Sequence, residues 1–160
     1  MNFKNLGLWE AEEERINKCL IDALTELINQ AAVLPDDNET KISGQLRPLL
    51  IKHSKNLGWT LHCEASVFLN EVDEEPSGYP DVQFSLRDSN GDQFDYDVEC
   101  KIVRNKRVGK KWDYCKYYVT GGVMRFFKNL YSQNLPLGAM IGYVQEGIPS
   151  MIPVEMCYLG

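Results

Sequence analysis

The stretch YPDVQFSLRDSNGDQFDYDVECKI, Tyr79 to Ile102, decides the reading of this chain. Two runs within it alternate polar and apolar residues, the period of a strand with one buried face. Asp81 to Arg87 places Val82, Phe84 and Leu86 on one side, and Gln93 to Val103 does the same with Phe94, Tyr96, Val98, Cys100 and Ile102. Asn90-Gly91 lies between the runs and is the dipeptide that a tight hairpin turn favours, since both positions tolerate positive φ. The stretch also carries Asp81, Asp88, Asp92, Asp95, Asp97 and Glu99, with Lys101 two positions after the last of them. Either this is an edge hairpin kept soluble by its charge, or some of these carboxylates gather to hold a cation.

Strand geometry sorts the six. Successive side chains point to opposite faces, so Asp95, Asp97, Glu99 and Lys101 share one face, while Val98, Cys100 and Ile102 take the other, buried one. A hairpin closing at Asn90-Gly91 brings the start of its first strand beside the end of its second, making Asp81 a predicted neighbour of Glu99 and Lys101. Asp88, Asp92 and Asp95 fall nearer the turn. Pro80, just before Asp81, suits a strand start or an edge. Two carboxylates a few ångströms apart repel unless a proton or a cation intervenes, and a lysine beside them offers a counter-charge.

The rest of the chain frames this hairpin. From about Glu10 to Ala32, Ile16, Leu20, Leu24, Leu27 and Ala31 recur at helical steps, and Glu10, Glu12, Glu13 and Glu14 read as acidic residues at the helix start. After Pro35, the oxygens of Asp36, Asp37 and Asn38 offer an N-cap to a second helix, about Glu39 to His53, with Ile42, Leu46, Leu49 and Leu50 inward. Gly44 and Pro48 predict a kink or a restart near Arg47. Trp59 to Leu69 reads as a strand before the hairpin. A helix from Tyr117 to Tyr131, presenting Val119, Val123, Phe126, Phe127 and Leu130, and a strand from Ala139 to Gln145 follow it. Residues from Gly147 on are unassigned. The expected fold is α/β: a single domain over 1–160, with a helical part at 1–56, a central mixed sheet flanked by helices at 57–145, and a tail at 146–160.

With 160 residues, 44% of them hydrophobic, the chain can bury one core. It shows no apolar run of membrane-spanning length and no signal-peptide pattern at MNFKNLGLWEAEEER, so a cytoplasmic protein with no membrane partner is expected. Five dispersed cysteines without a CxxC suit reduced thiols, and His53 and His62 alone make a histidine-rich metal site implausible. The net charge of −6 argues against general nucleic-acid binding, but Arg104, Lys106, Arg107, Lys110, Lys111, Lys116, Arg125 and Lys128 follow the acidic hairpin with only Asp113 among them. That segment suits a polyanion, or it is a solvated loop. Within it, Trp112 and Tyr114 are candidates for stacking on bases.

Pro80-Asp81 followed by Glu99-Cys100-Lys101 resembles the PD-(D/E)xK motif of the restriction-endonuclease-like nuclease superfamily. The order of helix, three strands, helix and strand resembles that superfamily's core. The resemblance implies a DNA-cutting hydrolase of the kind found in restriction, phage defence or DNA repair. Asp81 and Glu99 would then bind Mg2+, with Mn2+ as a substitute, and Lys101 would assist the attacking water. A third ligand from a helix before the sheet would be Glu39, with Glu12 or Glu14 behind it, and Glu64 on the first strand is a further candidate. Arg104, Lys106, Arg107, Lys110, Lys111, Arg125 and Lys128 would hold the nucleic-acid backbone. DNA is the expected substrate, with RNA as an alternative, and a homodimer or a further protein subunit would fit double-strand cutting. The competing expectation is a catalytically inactive module of the same fold that binds a protein or nucleic-acid partner.

Overall fold

The structure, a computed structural model, describes residues 6–30, 33–34, 37–63, 80–87, 90–103, 118–128 and 138–144. Their order is α1 (Leu6–Asn29), α2 (Glu39–Ser54), β1 (Thr60–Cys63), β2 (Val82–Arg87), β3 (Gln93–Val103), a π-helical turn (Val119–Val123) running into α3 (Met124–Phe127), and β4 (Ala139–Val144). The four strands form one sheet in the order β1-β2-β3-β4, so the fold is mixed α/β. β3 and β4 are parallel, with Glu99 opposite Met140 and Lys101 opposite Gly142. β2 and β3 are neighbours joined by a connection too short for a parallel crossover, which makes them a hairpin. Gly91 takes a φ of 88° at its turn, the conformation that Asn90-Gly91 announced. No helix among the described residues is long and apolar enough to cross a membrane.

β3 is therefore an interior strand and not the edge of the sheet. Pro80 stands just before β2, buried, at a position where its missing N–H costs the ladder nothing. The strand bounds of β2, β3 and β4 agree with the alternation to within a residue. Beyond Cys63, the expected run to Leu69 lies outside the described residues, as do Asp88 and the segment carrying Arg104, Lys106, Arg107, Lys110 and Lys111.

The chain divides into two compact units, Met1–Leu61 with Phe84–Phe94 and His62–Gln83 with Asp95–Gly160, and the division passes through β1, β2 and β3. In the first unit, α1 packs on α2. Trp9, Ile16, Cys19, Leu20, Ala23 and Leu27 meet a buried row of Ile42, Leu46, Leu49 and Leu50, and Trp9 stands edge-on to Trp59 with ring centroids 6.1 Å apart. Each large side chain so buried contributes roughly 1.5–3 kcal/mol. Arg15 ties the end of α2 to α1 by donating to the carbonyls of Asn56 and Leu57, both at 3.0 Å. Asn38 caps α2, its side-chain oxygen accepting from the Lys41 N–H at 2.8 Å.

Two expectations about these helices are corrected. α1 already includes Leu6, so Glu10 to Glu14 lie inside the helix and not at its start. Glu12 is instead a buried acceptor for the Trp59 indole N–H at 2.9 Å and for Arg15 at 2.7 Å. α2 shows no restart near Arg47 and runs through Pro48 from Glu39 to Ser54.

In the second unit, Tyr96 to Ile102 is buried at every position, although its residues alternate in polarity. Tyr96, Val98, Cys100 and Ile102 fill one face as expected. The opposite face, carrying Asp97, Glu99 and Lys101, is covered too. The π-helical turn and α3 lie against this face. A Cβ on Gly122 would stand 2.4 Å from Met140 Cε and 3.5 Å from Lys101 Cγ, and Phe126 packs with Met140, Tyr118 and Val123.

Candidate functional site

The site grows from the polar face of β3. Glu99 and Lys101, two residues apart, project to the same side, where the Lys101 Nζ lies 2.7 Å from Glu99 Oε1. The same ammonium donates to the Cys100 carbonyl at 2.8 Å and stands 3.8 Å from Asp81 Oδ2. Asp81 precedes the first residue of β2, and its Oδ2 accepts the Cys100 backbone N–H at 2.6 Å. That bond fixes the head of β2 to the end of β3, so the hairpin brings Asp81, Glu99 and Lys101 together, as the spacing predicted.

Two further residues complete the arrangement. The Arg125 guanidinium, on α3, reaches Glu99 Oε1 at 3.2 Å. Gln83, two residues after Asp81, donates from Nε2 to Asp97 Oδ1 at 2.8 Å in a buried hydrogen bond. The Gln83–Asp97 bond follows from periods already legible in the sequence. Gln83 shares the parity of Asp81, and Asp97 shares that of Glu99. On sequence, Arg125 and Lys128 share a helix face and are expected at DNA phosphates; the contact of Arg125 with Glu99 is an addition to that reading. Arg125 is turned toward Glu99, while Lys128 ends α3 and is exposed.

The electrostatics are unusual for a strand. The Glu99 side chain is 1% exposed and that of Lys101 is 5% exposed, whereas Asp81 and Arg125 keep 24% and 35%. Burial pushes the Glu99 carboxyl above the ordinary range; Lys101 and Arg125 oppose that shift, and Asp81 adds to it. Glu99 Oε1 thus meets two cations. Its Oε2 is buried and has no hydrogen-bond partner among the described residues. A buried acceptor left unmade carries a penalty of about 1–3 kcal/mol, more when charged, so an orphan at this position calls for a ligand.

The remaining expected residues are placed as follows. Glu39 is the first residue of α2, half-buried, in the first unit. Glu12 is engaged by Trp59 and Arg15, and Glu14 is exposed on α1. Glu64, Trp112 and Tyr114 lie outside the described residues. Among the described residues, no group of three or more His, Cys, Asp or Glu side chains converges. Burial pushes the Cys100 thiol well above the ordinary range and Cys19 up to about 11, which disfavours the reactive thiolate at both.

Compared with known proteins, the chain matches no family model, no curated protein and no solved structure.

Proposed function

We propose that this chain is a metal-dependent nuclease that hydrolyses DNA phosphodiester bonds, built on a restriction-endonuclease-like core. The observation that carries the reading is the orphaned, buried Glu99 Oε2 beside Asp81 and Lys101. The donor set fits Mg2+, a hard cation commonly held by one or two carboxylates, with waters and substrate phosphates filling the other positions. Asp81 and Glu99 would hold the ion. When bound, it polarises a phosphoryl oxygen and lowers the pKa of a bound water.

The chain's own residues do the rest. Lys101, fixed by Glu99 and the Cys100 carbonyl, keeps an ammonium beside both carboxylates, where it orients an attacking water or offsets charge on the phosphoryl group. The Asp81 bond to the Cys100 N–H sets the spacing of the two carboxylates before substrate arrives. Arg104, Lys106, Arg107, Lys110, Lys111 and Lys128 bind the DNA backbone in this reading, and roles in restriction, phage defence or repair follow from the resemblance alone.

The test is cleavage of plasmid DNA, and of matched single-stranded DNA and RNA, with Mg2+ or Mn2+ by wild type, Asp81→Ala and Lys101→Ala. Cutting by wild type that both variants lose supports the reading. A wild type inert with every common divalent ion and every strand type overturns it in favour of the non-catalytic module.

A further inference from the structure

Arg125 is not needed to neutralise Glu99, since Lys101 already contacts the same oxygen at 2.7 Å. The two cations and the two carboxylates, Asp81 and Glu99, nevertheless form one cluster that is formally neutral when all are ionised. Next along the face, Asp97 is held by Gln83. A divalent cation approaching Asp81 and Glu99 finds their charge offset by two cations, and a guanidinium stands against one of its ligands. Arg125 differs from Lys101 in one respect that bears on this. Its side chain is 35% exposed while that of Lys101 is 5% exposed, so Arg125 reaches both the buried carboxylate and solvent. Its placement is built into the fold. Gly122, without a side chain, lets the π-helical turn approach Met140 and the stem of Lys101, and Arg125 follows less than one helical turn later. π-helical turns of this kind recur at functional positions.

We propose that Arg125 is a positioning residue that couples phosphate to metal: on the bare protein it shares Glu99 Oε1 with Lys101, and a phosphodiester draws it away, lowering the positive charge that the cation meets at that carboxylate. The inference rests on the nuclease reading above and adds to it the order of events at the site. A guanidinium can grip a phosphate with two prongs, whereas here it meets Glu99 at one oxygen, 3.2 Å away, so the exchange replaces a single contact with a better one. Arrival of the phosphate removes a positive charge from Glu99 and brings a negative one, and both changes favour a divalent ion. By linkage, nucleic acid and metal then tighten each other's binding by the same factor.

The experiment titrates Mn2+ into wild type, Arg125→Gln and Arg125→Lys by calorimetry, without DNA and with a phosphorothioate-backbone duplex that resists hydrolysis. Asp81→Ala and Glu99→Ala serve as controls for the site. Wild type is expected to bind Mn2+ at least about five-fold more tightly with the duplex, the lower end of ordinary coupling. Arg125→Gln is expected to bind Mn2+ more tightly than wild type in the absence of DNA and to lose most of the duplex effect, with Arg125→Lys between them. A merely structural arginine would not produce tighter metal binding on removal. Equal or weaker Mn2+ binding by Arg125→Gln without DNA, or an unchanged duplex effect, overturns the coupling while leaving the metal site intact. Should Arg125→Gln not fold, Arg125→Lys decides by the same two comparisons. Absence of any Mn2+ site that the Asp81→Ala and Glu99→Ala controls remove overturns the nuclease reading and the coupling with it.

Discussion

The Lys101 ammonium lies 2.7 Å from the Glu99 carboxylate, and the two side chains are almost wholly sealed from water on an interior strand. A buried pair of this kind differs from an exposed same-face pair, whose contribution is about 0–1 kcal/mol. Removing one member strands the other's charge at a cost of about 3–5 kcal/mol, whereas replacing both with apolar groups of similar volume is close to neutral. Lys101→Met is therefore expected to lower stability by about 3 kcal/mol, since Arg125 still faces Glu99. The double variant Glu99→Leu with Lys101→Met is expected to recover most of that loss. Urea denaturation of the two singles and the double measures the coupling, and equal, additive losses would contradict a buried pair. DNA cleavage is expected to vanish in all three, which separates the pair's chemistry from its stability.

Metal binding gives a second measurement, independent of turnover. A ligand that binds only the folded state raises its stability by about 2.7 kcal/mol at a hundred times its dissociation constant. Mn2+ is expected to raise the melting temperature of wild type, EDTA to reverse the effect, and Asp81→Ala and Glu99→Ala to show neither. Removing Asp81 also releases the Cys100 N–H, so the Asp81→Ala protein is expected to be less stable without metal by about 1–3 kcal/mol. An Mn2+ shift that persists undiminished in both variants would place the ion elsewhere.

Gly122 sets how closely the π-helical turn approaches the sheet. An added methyl would stand 2.4 Å from Met140 Cε and 3.3 Å from its Sδ, a clash with the far end of a flexible chain. Gly122→Ala is expected to cost about 1–3 kcal/mol by overpacking. In a Met140→Ala background, where the opposing atoms are gone, the same substitution is expected to cost much less. A double-mutant cycle by thermal melting checks this, and additivity would mean that the contact is not what holds the turn in place.

The thiols make a prediction about reactivity. Burial lifts Cys19 to about 11 and Cys100 further still, so near neutral pH the reactive thiolate of either is on the order of a thousandth of the population or less. Neither is expected to take up a maleimide in the native protein, and both are expected to do so in guanidinium. Peptide mapping of the labelled sites decides it. Native labelling of Cys100 would mean that the face of β3 carrying Val98 and Ile102 opens readily.

How much of this was legible in the sequence depends on which force sets each feature. Alternation and the Asn90-Gly91 turn located β2 and β3 because backbone pleat and turn geometry are local. The same parity brought Asp81, Glu99 and Lys101 together before any coordinates. What alternation could not supply is what covers a face. Asp97, Glu99 and Lys101 look solvated on a strand read alone, yet all three are buried, and the turn at Gly122 and Arg125 meets Lys101 and Glu99. The start of α1 was misplaced as well. Glu10 to Glu14 are what a helix N-terminus favours, but they lie inside α1, and a dipole preference of about 0.3–1 kcal/mol is too weak to set a helix start by itself.

Two glutamates of α1 should respond to pH in opposite directions, because one is paired and the other merely buried. Hydrogen bonds from Lys52 first, and then His53, hold the Glu26 carboxyl below its ordinary range. A depressed pKa means that the unfolded chain binds the proton more readily, so this contribution is present above the ordinary glutamate value and is lost as pH falls through the lowered one. Glu13 is the reverse: burial raises its carboxyl above the ordinary range, with repulsion from Glu10 adding and a hydrogen bond with Asn17 opposing. The folded chain then holds that proton more tightly, so stability is full below the ordinary value and declines as pH climbs through the raised one. Glu26→Gln is accordingly expected to lower stability at about pH 7 and to leave it nearly unchanged at strongly acid pH, while Glu13→Gln is expected to gain on wild type as pH rises from about 4 to 7. Urea midpoints for the three proteins across that range test both signs. If Glu26→Gln and Glu13→Gln move in the same direction relative to wild type, the assignment of pairing to one and burial to the other is wrong.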